Sequence, residues 1–242
     1  MTEELRPAFY ALAPGGWRDY VSLLHPPYTL WHLSYVVIGA ALSPEWRPGR
    51  LALALLAFLL ALGVGAHALD ELRGRPLRTR IPRPVLWSLA AASIAGAVAC
   101  GAVASALWTL WLAAFVAFGG FIVLAYNLEL LGGRFHTDAW FVLAWGAFPV
   151  LTGYFALAER LRAEALAAAV AAALLSLAQR RLSSQVRAVR RQARGVSGTI
   201  ELQDGSTLPV DRGLLVRAPE AALRALAGSA CALALALVLA RL

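Results

Sequence analysis

The chain has 242 residues, 60% of them hydrophobic and only 15% charged, whereas soluble domains run at about 45–50% apolar and about 25% charged. That balance excludes an ordinary soluble domain and points to a polytopic helical membrane protein. All 22 basic residues behind the net charge of +8 are arginine; confined to one set of loops, they report topology rather than a nucleic-acid partner, and none is expected.

In chain order, residues 1–22 are mixed and polar and lack the charged-then-apolar pattern of a cleaved signal peptide. A helix needs about 20 apolar residues to cross a bilayer. The first such run is about Leu24–Leu42, after His25-Pro26-Pro27, and the second is about Leu51–Leu69. No charge occurs over 84–128, a stretch of 45 residues that fits two spans, Val85–Ala102 and Leu107–Asn127, with a turn near 101–107. Spans five and six are about Ala139–Leu157 and Ala165–Gln179, and a seventh is about Leu223–Ala240. Trp31, Trp46, Trp87, Trp108, Trp111 and Trp140 fall near span ends, as an aromatic belt would. Cys100 and Cys231 lie in apolar runs, with no disulfide or zinc spacing.

Between spans six and seven, TIELQDGSTLPV (199–210) alternates apolar and polar residues around Asp204-Gly205, which predicts a small β-hairpin with Pro209 at an edge. The basic run RRLSSQVRAVRRQARG precedes it and has the composition of a surface helix on anionic lipid. The expected organisation is an N-terminal cytoplasmic segment (1–22), a six-span bundle (23–182), a basic segment with the hairpin (183–219) and a last span (220–242). The fold class is thus an all-α transmembrane bundle of about seven spans with a small cytoplasmic hairpin. Sixteen arginines fall on the side holding the N-terminus and the loops at 70–84, 132–138 and 180–219, against five on the other. The first side is therefore expected in the cytoplasm and the C-terminus outside, in a multi-pass inner-membrane protein.

Chemistry concentrates where the second span ends. GAHALDELRGRPLRTRIP places His67, Asp70, Glu71 and Gly74 at i, i+3, i+4 and i+7, one helical stripe, and five arginines fall over residues 73–83. Ionisable groups at a span end mark a candidate site. Asp70 and Glu71 are candidate Mg²⁺ ligands, since Mg²⁺ is often held by one or two carboxylates plus substrate phosphates. Arg75 and Arg78 are candidate phosphate clamps. A second polar cluster ends span four: Tyr126, Asn127 and Glu129, then Arg134, His136 and Asp138. The bland alternative is ion pairing at the lipid surface for the first cluster and a loop with a Gly132-Gly133 helix stop for the second. His25, His32, His67 and His136 are scattered without a His-x-x-x-His pair, against a zinc hydrolase. No span carries a mid-membrane charge of the kind a transporter would use.

The order of these features resembles the UbiA-type intramembrane prenyltransferases. HPPYTLWHLSYVVIGAAL resembles their first helix, the acidic tip with GRPLRTRIP their first aspartate-rich motif and basic loop, and AYNLELLGGRFHTDAWFVLAWGAFPVLTGYFA their central segment. The resemblance spans roughly residues 22–195. It implies transfer of a prenyl group from an isoprenyl diphosphate to a lipid-soluble acceptor with Mg²⁺. Asp70, Glu71 and His67 would then be catalytic, Arg75 and Arg78 would hold diphosphate, and Tyr126, Asn127 and Glu129 would bind substrate. The chain departs from the family pattern. Ala66 and Gly74 stand where the Asn and last Asp of the first motif belong, and no acid occurs between Glu164 and Glu201, where the second motif should lie. Seven spans also fall short of the usual nine. The alternative is a non-catalytic relative that binds an isoprenoid or membrane lipid, with a protein partner at 196–219.

Overall fold

A computed structural model describes residues 6–242. Five helices are long and apolar enough to cross a membrane: α3 (Pro48–Leu72), α4 (Arg83–Leu107), α6 (Asp138–Ala158), α7 (Ala163–Gln192) and α8 (Arg212–Leu239). The short α1 (Trp17–Leu23) precedes α2 (Pro26–Leu42). At 17 residues α2 falls short of a full crossing length, and so does α5 (Leu112–Asn127) at 16 residues. The chain is therefore a mostly helical, membrane-embedded bundle with five long apolar helices, and the other two expected spans, α2 and α5, are shorter.

The order of elements follows the punctuation of the sequence. Pro26, Pro48 and Pro84 sit in first helical turns, where their missing N–H costs nothing. The uncharged 45-residue run does divide into two helices, but α4 continues to Leu107 and the turn lies at 108–111. The expected break near Gly101 does not form because small residues there serve packing: a Cβ at Gly101 would lie 2.3 Å from the Val116 side chain of α5. Likewise α7 runs past Gln179 to Gln192, so the basic run expected on a lipid surface continues a long helix, and the connection to α8 is only 193–211. There β1 (Thr199–Glu201) pairs antiparallel with β2 (Thr207–Pro209), Ile200 opposite Leu208. Gly205 has φ 80°, the left-handed conformation the Asp-Gly turn requires.

α2 is the hub of the bundle. Trp31, Tyr35 and Val36 are fully buried against α6, α7 and α8. Trp31 is thus no part of an aromatic belt; its indole donates to the Tyr35 hydroxyl at 2.5 Å. Trp87 and Trp111, in contrast, are exposed. Two glycines let α2 and α6 touch backbone to backbone. A Cβ at Gly39 would lie 2.0 Å from the Val150 carbonyl oxygen, and one at Gly153 would lie 2.1 Å from that of Val36. This reciprocal contact is the close approach that small residues permit between membrane helices.

A polar cavity beside an apolar cleft

At one end of the bundle, the start of α2, the end of α3, the end of α5, the start of α6 and the second half of α7 enclose a polar cavity of about 260 Å³. Residues 7–10 close one side of it. A second cavity of about 110 Å³ runs between α3, α4, α5 and α6 and is lined almost entirely by apolar side chains. Leu62 and Trp145 line both. Each belongs to a stretch of π-helix, Leu59–Ala66 in α3 and Val142–Ala147 in α6. Such wide turns recur at functional sites because they displace backbone groups from the regular ladder.

The local sequence explains how the cavity acquires its histidines. Pro149 stands four residues after Trp145 and has no N–H to offer its carbonyl. That carbonyl instead takes a hydrogen bond from His32 Nδ1 at 2.8 Å. In the same way His67 Nδ1 donates to the Gly63 carbonyl at 3.1 Å. A carbonyl can only accept, so in both neutral rings the remaining nitrogen, Nε2, is an acceptor. His67 stacks on His25 with centroids 4.0 Å apart. The Nδ1 of His25 lies 2.7 Å from the Tyr10 hydroxyl. Burial first, and His67 second, hold His25 well below the ordinary imidazole range. Burial, with Tyr28 next, pushes the Tyr10 phenol up, so it remains a donor.

Of the residues expected at the site, His67, Asp70, Tyr126 and Asn127 line the cavity together. Asp70 has no hydrogen-bond or ion-pair partner among the described residues; the charges acting on it most strongly are Arg191 and Arg187. Tyr126 accepts a hydrogen bond from Arg180, whose Nε also donates to Asp138 at 2.5 Å. Asn127 donates from Nδ2 to the Val123 carbonyl at 2.7 Å, leaving its amide oxygen free to accept.

The other expected residues go elsewhere. Glu71 is buried and turned into the loop that follows α3. It accepts from the backbone N–H of Leu77 at 3.0 Å and of Thr79 at 2.8 Å, and from the Thr79 hydroxyl at 2.8 Å. Arg75 clasps the same loop, donating to the carbonyls of Thr79 at 2.6 Å and Ile81 at 2.9 Å. Arg78 is exposed and has φ 57°. Glu129 pairs with Arg73 at the rim, 2.8 Å away, both about two-fifths exposed. The residues therefore do not fit an Asp70–Glu71 magnesium pair, because both Glu71 oxygens are engaged. Among the described residues no three His, Cys, Asp or Glu side chains are grouped to hold a metal ion.

Sequence reasoning passed over the wall supplied by α7. Gln179, Ser183, Arg187 and Arg191 recur every four residues and line the cavity, with Arg180 beside them. The four-residue spacing was the signal, obscured because the run reads as a surface anchor. Arg187 is braced by the hydroxyls of Ser183 at 2.9 Å and Ser184 at 2.8 Å. Arg191 Nε donates to the Pro7 carbonyl at 3.1 Å, which ties down the segment covering the cavity. Gln179 Oε1 is the one buried side-chain oxygen or nitrogen among the described residues without a hydrogen-bond partner. Leaving such an acceptor unpaired costs about 1–3 kcal/mol.

No family model, curated protein or solved structure matches this chain. The site must therefore be read from its own chemistry. Its geometry suits an amphipathic molecule. Arginines on α7 line the polar cavity, where they would pair with an anionic head, while the adjoining cleft offers apolar surface to a hydrocarbon tail.

Proposed function

We propose that the chain is a UbiA-like, multi-pass inner-membrane protein that takes an isoprenyl diphosphate head-first. The diphosphate lies against Arg187 and Arg191 in the polar cavity, and the isoprenyl chain follows the apolar cleft. The observation that carries this reading is that the two cavities lie side by side, sharing Leu62 and Trp145 in their linings. In this reading α2 and α5 also reach across the bilayer, making seven spans, with the arginine-rich cavity end and the N-terminus cytoplasmic and the C-terminus outside. Holding the diphosphate by arginine rather than Mg²⁺ accords with the engagement of Glu71 and with the absence of acid from α7 after Glu164. This favours a non-catalytic isoprenoid-binding role.

Prenyl transfer to a lipid-soluble acceptor is the second reading. It rests on Asp70, the unpaired carboxylate in the cavity, with His67 beside it and Tyr126 and Asn127 facing the acceptor.

The test is binding of farnesyl diphosphate to protein in nanodiscs, read by tryptophan fluorescence because Trp145 lines both cavities. Saturable binding that persists in EDTA and weakens about tenfold or more in Arg187→Ala is expected. Absence of saturable binding overturns the proposal. Mg²⁺-dependent transfer of the labelled prenyl group to a quinone-type acceptor, lost in Asp70→Asn, would replace the binding role with the enzymatic one.

A further inference from the structure

We infer that residues 6–10 form a lid on the polar cavity, latched by arginines of α7 and α8, and that a soluble anionic head such as diphosphate enters or leaves by lifting it. The inference rests on the reading of the cavity as a phosphate site and adds its route to water. The lid packs on α2, α7 and α8, whereas the apolar cleft lies between α3, α4, α5 and α6.

The lid owes its position to tertiary contacts rather than to its own backbone. Residues 6–10 belong to no helix or strand. The segment is rooted where the Leu12 N–H donates to the Ser22 hydroxyl of α1 at 2.9 Å. Before that root, Pro7, Ala8, Phe9 and Tyr10 close the cavity, and a short row of latches holds them. Arg190 donates from Nη1 to the Arg6 carbonyl at 3.1 Å, and Arg191 donates from Nε to the Pro7 carbonyl at 3.1 Å. The Arg224 guanidinium lies 4.8 Å above the Phe9 ring, and Phe9 meets Tyr28 edge-on at 6.4 Å. The apolar backing is small, Ala8 and Ala11 against Leu77. A segment with so few buried apolar contacts opens at lower cost than the helices it covers.

The two α7 latches differ. Arg190 is a fixed post: its Nε and Nη2 both donate to Glu220, and neither side chain is more than 10% exposed. Arg191 has no carboxylate partner among the described residues, and it lines the cavity while holding Pro7. An anion that takes the remaining N–H donors of Arg191 therefore pins the same guanidinium that pins the lid. Charge-assisted hydrogen bonds fix such a group in place. Occupancy and closure are thereby coupled, and the lid must lift before the head can exchange with water.

The test uses the full chain in nanodiscs, with inorganic pyrophosphate as the soluble probe and stopped-flow tryptophan fluorescence as the readout. Arg224→Ala removes a latch outside the cavity at an exposed position, and it should raise the association rate about two- to fivefold. Phe9→Ala, which also drops the contact with Tyr28, should raise it about fivefold or more. Dissociation should quicken at least as much in both. A side chain that merely supports the fold would not speed association when removed. In the unaltered protein, hydrogen exchange at the amides of residues 8–12 should slow when pyrophosphate saturates the cavity. An association rate raised by neither variant, or exchange that stays the same or quickens with pyrophosphate, overturns the inference. If farnesyl diphosphate binds through Arg187 and pyrophosphate does not bind, or binds at rates that neither variant changes, only the lid falls. If binding of both probes is indifferent to Arg187→Ala, the phosphate reading falls and the lid with it.

Discussion

The two ends of the bundle carry similar kinds of side chain and treat them in opposite ways. At the far end Arg50 donates to Glu159 at 2.7 Å and to the Ala156 carbonyl at 3.1 Å, and it lies 4.8 Å above the Trp108 ring. Arg241 there donates to the Ala41 carbonyl at 2.7 Å and also to that of Ser43, closing α8 onto the end of α2. Each of these groups finds its partner inside the protein. At the cavity end, Asp70 and Gln179 Oε1 are without partners among the described residues, although Arg187 and Arg191 line the same cavity. Charge at a span end is therefore a poor marker of a site, and unmet hydrogen-bonding capacity around a cavity is a better one.

The largest expected effect breaks both ends together. Gly153→Leu drives a side chain into the α2 backbone, where even a Cβ would lie 2.1 Å from the Val36 carbonyl oxygen. Loss of monodisperse folded protein on size-exclusion chromatography is expected, because overpacking against backbone has no flexible atom to move. Glu71→Ala should unravel only the cavity end. It strips three donors of their buried acceptor, costing about 3 kcal/mol or more, and should be seen as rapid proteolysis of the 73–82 loop with the far end still protected. Arg50→Ala should act only at the far end. Its partner Glu159 is about a third exposed, so the ion pair contributes about 1 kcal/mol or less, and the melting temperature should fall slightly with farnesyl diphosphate binding unchanged. The smallest change, and the sharpest contrast, is Asp70→Asn. Removing an unpaired charge should leave thermal stability equal or slightly raised while altering ligand binding, the trade expected of a site residue. A marked loss of stability instead would assign Asp70 a structural role and erase the distinction between the two ends.

Much of this was legible before the fold. Apolar runs bounded by proline foretold the helices, Asp204-Gly205 foretold the hairpin, and the exit of the second apolar run pointed to the neighbourhood that the cavity occupies. Helix ends were less legible. Neither the small residues at 101–107 nor the basic residues after Gln179 stop a helix when a neighbour packs against them. Within the site, helical spacing put His67, Asp70 and Glu71 on one stripe. Adjacent residues on a helix nevertheless point about 100° apart, and that angle sent Asp70 to the cavity and Glu71 to the loop.

The sequence by itself determined that this chain is built for a membrane, where its helices begin, and that polar groups gather at their arginine-rich ends. Those properties depend on composition and on neighbours within a turn or two. Only the tertiary structure decided which polar groups are satisfied. His32 on α2 finds a carbonyl on α6 that Pro149 leaves without its helical donor. Arg187 and Arg191 on α7 come to face Asp70 on α3, more than a hundred residues away. Hydrogen bonding is settled at about 3 Å, and only the packing of helices distant in sequence brings groups within that range or keeps them apart.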